Sequence, residues 1–566
     1  MAFYILILLL LSEGLGIFLL HSALPYIFAL IPSFLYILHS FHHNKFHISF
    51  SLSSFFFGCS IFLYALAILY SINKEASIGS ILIFLSLYLF YLYFSSYPIK
   101  QVKIIKSIYI LSIIFIGAFL FFVNRRALSS LIIPQTEYQL VTPLYYPHNH
   151  LGDFLGLGIV ISFFYLFTSS KLIYLIPLFI FIPFVLISFS NSAFVSIFLS
   201  CVVIIVFFFK SKKIHIRKLL FIFLIITTLM ITIFIGSTKE SEYVPPFKNI
   251  QQFVTKTFSF YPKTIGSTRL SYFSQAIEGV IRNPLFGIGP NTFTYFSRQF
   301  NTTGYIFSTD VHNIFLEIGF EAGIPALLFF IAFIVLKIRH GILNPTIFFF
   351  IFLYLLINFQ TDYTYKIYSV LALFIFSASQ INVPQRDHKN NNIGTYIFIG
   401  ITLFLQIIVI CILTSLIFQK SGNPSQAVLF NPFNRYAYYD LLKEAAANKN
   451  IALVDEYAKK LQIISPVNLQ SELEIVNAYK TIGEPNKLLR SLEKAYSIQS
   501  LLPPLYIEQL YKLTEKYRSK EKAKQLITRY IDERQKALYF RRDKNTLFQL
   551  SQLCKKTYEN ACGGIK

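Results

Sequence analysis

Long apolar runs separated by short polar breaks dominate the chain. Thirteen such runs lie at about 2–20, 22–41, 50–71, 77–97, 103–123, 151–168, 172–190, 193–209, 219–236, 314–336, 344–360, 364–381 and 394–418. Each is close to the roughly 17–25 residues that a helix needs to cross a bilayer. The runs are continuously apolar, whereas the strands of a membrane barrel would be short and alternating. The pattern therefore predicts an all-α, polytopic membrane protein with about 13 transmembrane helices. The polar breaks set its orientation. With the N-terminus inside, the inner loops read FHHNKFH, SSYPIKQVK, SSK, KSKKIHIRK, KIRHG and QRDHKNN, and every one carries Lys or Arg. That asymmetry follows the positive-inside bias. It leaves two long outer loops, at about 124–150 and 236–313, and places everything after about Gln419 outside.

Composition sharpens this picture. Of 566 residues, 55% are hydrophobic and 14% are charged, against roughly a quarter charged in ordinary globular domains. Mean hydropathy is +0.57. The formal net charge of +23 is read as orientation signal and contact with anionic lipid rather than as a nucleic-acid surface. Trp is absent, so Tyr must supply any interfacial belt. Cys59, Cys201 and Cys411 fall inside apolar runs, where cysteine behaves as a small hydrophobe. Cys554 and Cys562 lie in the polar tail and could pair in an oxidising space. The first apolar run has no basic leader and no small-residue cleavage site, so it is expected to remain as a helix.

The pattern changes after residue 418. Residues 419–566 are rich in Lys, Glu, Ala and Leu and show helical rather than continuous periodicity. "FNPFNRYAYYDLL" and "ISPVNLQSELEIV" each place a Pro two residues before an Asn and then an amphipathic stretch; Pro432 and Pro466 are 34 residues apart. That period predicts an extracytoplasmic array of helical hairpins resembling tetratricopeptide repeats, with a generic helical bundle as the alternative. The chain thus divides into a membrane domain, 1–418, and a tail, 419–566, whose helical surface suits a protein partner.

Chemistry concentrates in the second outer loop. From Arg269, apolar residues Leu270, Phe273, Ala276, Ile277, Val280 and Ile281 recur at helical spacing. "RNPLFGIGPNTF" then signals a turn. "TDVHNIFLEIGFEAGIPAL" carries His312 and Asn313 into the next apolar run, with Glu317 and Glu321 in its first turns, where acids complement the helix dipole. Asp310 and Asp362 read as caps or solvated groups. His148 and His150 flank Asn149 in "YYPHNHLGDFLG" and read as polar groups at a helix start; no metal site is expected.

This order of features resembles the O-antigen ligase superfamily of ligases, O-antigen polymerases and bacterial O-oligosaccharyltransferases. The shared pattern is an Arg opening a helix (Arg269), a PLxGxGxxxF turn (Pro284, Leu285, Gly287, Gly289, Phe293) and an HN pair entering a membrane helix (His312, Asn313), with Leu316 and Gly323 in register. Ala326 stands where the pattern has its last glycine. The signature covers 236–336. Asn149 occupies the Asn position of a second, upstream motif. In "ISFSNSAFVSI", Asn191 occupies a position where the family often has Arg, leaving Arg125, Arg126, Lys263 and Arg282 as substitute cations. The resemblance implies a metal- and nucleotide-independent transfer, inverting at the sugar. A glycan would pass from a polyprenyl-pyrophosphate donor to an acceptor hydroxyl on lipid or protein, at the outer face of the cytoplasmic membrane. It assigns the pyrophosphate to Arg269 and the acceptor proton to His312, with Arg282, Asn313, Asn191 and Asn149 as substrate-binding residues. A polymerase joining repeat units shares these motifs. A transporter or a non-catalytic scaffold are the other readings.

Overall fold

The computed structural model describes residues 24–42, 46–98, 148–168, 174–188, 190–210, 265–302, 308–381, 392–499 and 502–541. All regular structure among them is helical. In the membrane domain the helices are α1 (Leu24–His42), α2 (Leu52–Leu66), α3 (Lys74–Ser96), α4 (His148–Thr168), α5 (Leu175–Ser188) and α6 (Asn191–Lys210). They continue as α7 (Ile265–Arg282), α8 (Phe293–Arg298), α9 (Ile314–Leu343), α10 (Ile347–Asn358), α11 (Tyr368–Gln380) and α12 (Ile393–Lys420). Ten of the thirteen expected spans coincide with one of these helices; those at 2–20, 103–123 and 219–236 lie outside the described residues. Five helices are long and apolar enough to cross a membrane by length and composition, and four shorter ones are apolar. The chain is a multi-pass membrane protein. Along α12, Leu403, Phe404, Ile407 and Ile410 are all more than half exposed, a surface suited to hydrocarbon rather than water.

Two helix groups meet at the start of α9. On one side α9 packs along α2, while α3 contacts α1 and α11. On the other, α4 contacts α5, α6 and α10. Phe57 stacks on Phe333 at 4.7 Å, and Phe352 on Phe374 at 4.8 Å, so aromatic rings fill much of the interior.

The membrane helix α9 is broken, and the break organises the site. Gly323 has φ 84° and ψ 173°, and Pro325 follows. In an unbroken helix Ile324 N–H would reach the carbonyl of Phe320, and residue 325 would reach that of Glu321. Proline has no N–H to give. The turn after α7 makes good all three losses. Ile324 N–H donates to Pro284 O at 2.7 Å, Ile288 N–H to Phe320 O at 2.7 Å, and Gly289 N–H to Glu321 O at 3.0 Å. Backbone groups left bare there would each cost about 1–3 kcal/mol, because hydrocarbon offers no substitute partner. Such close approach needs glycine. Gly287 has φ 68°, and a Cβ there would lie 2.5 Å from the backbone of Ala322. A Cβ on Gly323 would lie 2.4 Å from Leu285 O.

Beyond α12 and the short α13 (Pro424–Phe430), the tail forms three helical hairpins. They are α14–α15 (Arg435–Ala447, Ile451–Ile464), α16–α17 (Leu469–Ile482, Pro485–Ile498) and α18–α19 (Pro504–Tyr517, Lys520–Arg541). Their first helices begin 34 and 35 residues apart. Asn434 and Asn468, the residues that follow Pro432 and Pro466 by two, cap the first two of these: Asn434 Oδ1 accepts from Ala437 N–H and Asn468 Oδ1 from Ser471 N–H. The tail rests on the membrane domain. Arg435 pairs with Glu75 at 2.8 Å, Lys74 reaches Ile463 O at 3.4 Å, and α19 meets residues 299–302.

The glycine requirement is measurable. Gly287→Ala should lower the unfolding midpoint of the detergent-solubilised protein sharply or abolish folded yield. Gly483→Ala, at φ 87° with open space around it, should cost only the roughly 1–2 kcal/mol of a left-handed alanine. Equal effects of the two substitutions would contradict the account of the turn.

Candidate functional site

The segment before α9 is braced from both ends. Asn313 is the N-cap; its Oδ1 accepts from Phe315 and Leu316 N–H at 3.0 Å each. Its Nδ2 donates to Gln360 Oε1 at 3.1 Å, and Ile314 N–H donates to Phe359 O at 2.9 Å. Upstream, Val311 N–H donates to Glu317 Oε2 at 2.9 Å. Between these braces His312 adopts φ 64°, a left-handed conformation that few non-glycine residues take and that neighbouring structure must hold in place.

Its ring sits in a three-sided niche. Tyr272 of α7 stacks on it with centroids 5.6 Å apart, and Tyr363 meets it edge-on at 4.7 Å. Asp362 Oδ1 lies 3.8 Å from His312 Nδ1. The histidine side chain is 16% exposed and that of Asp362 is fully buried. The carboxylate stands on the Nδ1 side of the ring, and Nε2 lies on the far edge. Arg269 lies one turn before Tyr272 on the same face of α7. It is partly exposed and forms no ion pair with a described carboxylate.

Asp362 is therefore neither a cap nor a solvated group, as its sequence context suggested. Its Oδ1 accepts from Tyr363 N–H at 2.7 Å and its Oδ2 from Ser192 Oγ at 3.0 Å. Ser192 also contacts Asp153 Oδ1 at 3.1 Å, which in turn accepts from Asn358 Nδ2 at 2.8 Å. Asp153, in the first turns of α4, went unnoticed in the sequence; an acid early in an otherwise apolar span was the available signal.

Glu317 and Glu321 also differ from expectation. They are buried rather than simply complementing a helix dipole. Lys366 bridges them, at 2.7 Å from Glu317 and 3.1 Å from Glu321. Tyr365 donates to Glu317 Oε2 at 2.9 Å, Tyr64 to Glu321 Oε2 at 2.5 Å, and Asn291 N–H to Glu321 Oε1 at 2.8 Å. One cation thus ties the 359–367 connection to α9, α2 and the glycine turn. Burial alone would lower the Lys366 ammonium, but Glu317, Glu321 and Asp310 outweigh it and hold it well above the usual lysine value. Burial pushes Asp310 up to about 6, against the pull of Lys366.

The remaining expected site residues are placed unevenly. Asn313 caps and anchors α9, so both ends of its amide are engaged within the protein. Arg282 lies thirteen residues after Arg269, about 20 Å along α7 at 1.5 Å per residue. It pairs with Glu278 at 2.5 Å and lies over the Phe296 ring at 5.2 Å. The structure thus does not bring Arg282 to His312, and the helix length is the reason. Asn149 sits in the first turn of α4 and Asn191 opens α6; their side chains lie outside those described, as do residues 125, 126 and 263. Asn191 stands between Ser190 and Ser192, both of which touch Asp153. Among the described residues no group of three or more His, Cys, Asp or Glu could hold a metal ion.

Residues 176–331 match the family model described as O-antigen ligase, so this region is similar to that family. No curated protein and no solved structure matches the chain. The matched region contains Asn191, Arg269, Arg282, His312 and Asn313; Asn149, Asp153 and Asp362 lie outside it.

Lys366→Met would leave two buried carboxylates facing each other, a loss of about 3–5 kcal/mol for a broken buried pair. The unfolding midpoint in detergent should fall strongly, and adding Glu317→Gln and Glu321→Gln to it should restore part of the loss. No fall for Lys366→Met alone would contradict the bridging role.

Proposed function

We propose that the chain transfers a glycan from a polyprenyl-pyrophosphate donor to an acceptor hydroxyl on lipid or protein, at the outer face of the cytoplasmic membrane. The observation that carries this reading is His312, inside the O-antigen ligase-like region, with Asp362 3.8 Å from its Nδ1 and Tyr272, one helical turn after Arg269, stacked on its ring. His312 Nε2 takes the acceptor proton as the hydroxyl oxygen attacks the anomeric carbon. The bond from that carbon to the phosphate oxygen breaks, and its electron pair leaves with the lipid pyrophosphate. Arg269, which stays charged at any working pH, holds that charge through paired N–H donors. Asp362 stabilises the imidazolium that forms. Direct displacement inverts the sugar carbon. The donor is already activated, so the scheme needs no nucleotide or metal.

Arg282 serves this scheme less well than its place in the motif implies, being committed to Glu278. Asn191, at the position where the family often has Arg, and Asn149, at the Asn position of the upstream motif, remain the donor-binding residues of this scheme. The tail supports a macromolecular acceptor. Its hairpins dock on Lys74 and Glu75, and the same connection reaches the glycine turn through Ile72 N–H to Ile288 O (3.1 Å) and Ser77 Oγ to Pro290 O (2.8 Å). The hairpins therefore stand on the His312 side of the membrane domain, where a protein or large lipid acceptor would arrive.

The test is transfer from a purified lipid-linked glycan. His312→Ala and Arg269→Ala should each reduce the rate by at least about 100-fold, the scale of a lost general base or charge clamp. Arg282→Ala should stay within about threefold. Undiminished transfer by folded His312→Ala would refute the assignment. Extended repeat-unit chains as the product, in place of one transferred glycan, would make the enzyme a polymerase.

A further inference from the structure

Behind His312, two carboxyl groups share a small buried space in which no described lysine or arginine pairs with them. Asp153 and Asp362 are 5% and 0% exposed. Ser192 Oγ stands between them, 3.1 Å from Asp153 Oδ1 and 3.0 Å from Asp362 Oδ2. Ser190 Oγ adds a contact to Asp153 Oδ1 at 3.3 Å and to Ser192 Oγ at 2.9 Å. The elements packed around them bring little charge. α5 carries no titratable side chain, and α6 has only Cys201 and Lys210, about three and five turns from its start. From α10 comes Tyr354, whose hydroxyl donates to Asp153 O at 2.6 Å. Tyr363 and His312 face Asp362. Among the described side chains around the pair, His312 is the one that can become a cation, and it lies on the Asp362 side; the side chains of His148 and His150, in the first turn of α4, lie outside those described.

Two buried carboxyl groups separated by one hydroxyl, with no lysine or arginine paired to them among the described residues, are the arrangement in which one shared proton relieves like-charge repulsion. The hydrogen bonds distinguish them. At Asp362, Oδ1 accepts from Tyr363 N–H and Oδ2 lies 3.0 Å from Ser192 Oγ, whose single proton serves one of the two carboxyl groups at a time. At Asp153, Oδ1 collects Asn358, Ser190 and Ser192, while Oδ2 is buried without a hydrogen-bond partner. A bare buried oxygen is far less costly on a neutral acid than on an anion.

We propose that Asp153 and Asp362 hold one proton between them, that it resides on Asp153, and that Asp153 is a positioning residue which leaves Asp362 charged toward His312. The inference rests on the glycan-transfer reading for its consequence but not for its geometry. Asp153 works at a distance: it fixes Ser192 and Asn358, and these fix Asp362. Asn358 completes the frame, its Oδ1 accepting from Thr364 Oγ1. When His312 takes the acceptor proton, the imidazolium finds an anion already in place. Were Asp153 ionised as well, the second charge would drive the proton onto the pair, and the orienting anion beside His312 would be lost.

The test compares near-isosteric amides. Asp153→Asn mimics the neutral acid and should keep transfer within about threefold of the parent, whereas Asp362→Asn should lose at least about 100-fold. Ser192→Ala, which severs the bridge, should shift the pH profile of transfer while Asp153→Asn leaves its neutral-pH plateau in place. Equal losses in folded Asp153→Asn and Asp362→Asn would overturn the proposal. A second readout needs no activity. The infrared difference between parent and Asp153→Asn at neutral pH should contain the carbonyl band of a protonated carboxyl group, shifted by deuterium exchange. A carboxylate band in its place would overturn the proposal whether or not the protein transfers glycan. If that carboxyl band is present but the parent transfers no glycan, the functional reading fails and the shared proton stands.

Discussion

The break in α9 is the constraint on which the rest of the site depends. A helix that stops bonding to itself inside a membrane must find partners in protein, because lipid supplies none. Here the partners are three backbone groups of the turn at 284–289. That pairing fixes the turn against Phe320 and Glu321, and with it the end of α7. Since α7 runs beside α9, with Gly279 against Phe320 and Tyr272 against His312, the position of Arg269 follows from the same repair. A motif that looks like loop sequence is a set of backbone donors and acceptors cut to fit one kink.

Around this frame the protein handles buried acids in two ways. Glu317 and Glu321 receive a cation, Lys366, and become a brace. Asp153 and Asp362 receive hydroxyls and an amide but no lysine or arginine among the described residues, and Asp362 lies beside the one histidine of the motif. A fixed cation there would compete with the imidazolium for Asp362. The separation of a neutralised brace from an uncompensated acid pair, on successive turns of one connection, gives His312 both rigidity and a charge to lean on.

Much of the architecture was legible in the sequence because it is set by local rules. Apolar run length marks the membrane helices, and the Pro-x-Asn repeats mark the hairpins, with Asn434 and Asn468 acting as caps at those positions. The PLxGxG turn and the His312–Asn313 pair stand out in the sequence as motifs. What could not be read were contacts across large sequence separations. Asp153 and Asp362 meet although 209 positions apart in the numbering, bridged by Ser192 from a third helix, and no local pattern announces that. Lys366 reads as a loop lysine until the fold carries it to Glu317. Arg282 illustrates the opposite error: adjacency in a motif suggested a shared site, while the rise of a helix puts it at the other end of α7.

The central claim is that this site moves a glycan from a polyprenyl pyrophosphate to a hydroxyl. The most direct measurement supplies the purified full-length protein, in bilayers, with a single lipid-linked glycan of known anomeric configuration and a hydroxyl acceptor. Free polyprenyl pyrophosphate and the glycosylated acceptor are then followed together. The account predicts equal amounts of the two, with inversion at the transferred sugar and no need for added metal or nucleotide. Retention of configuration would contradict the single displacement through His312, and no release of polyprenyl pyrophosphate would contradict glycan transfer itself.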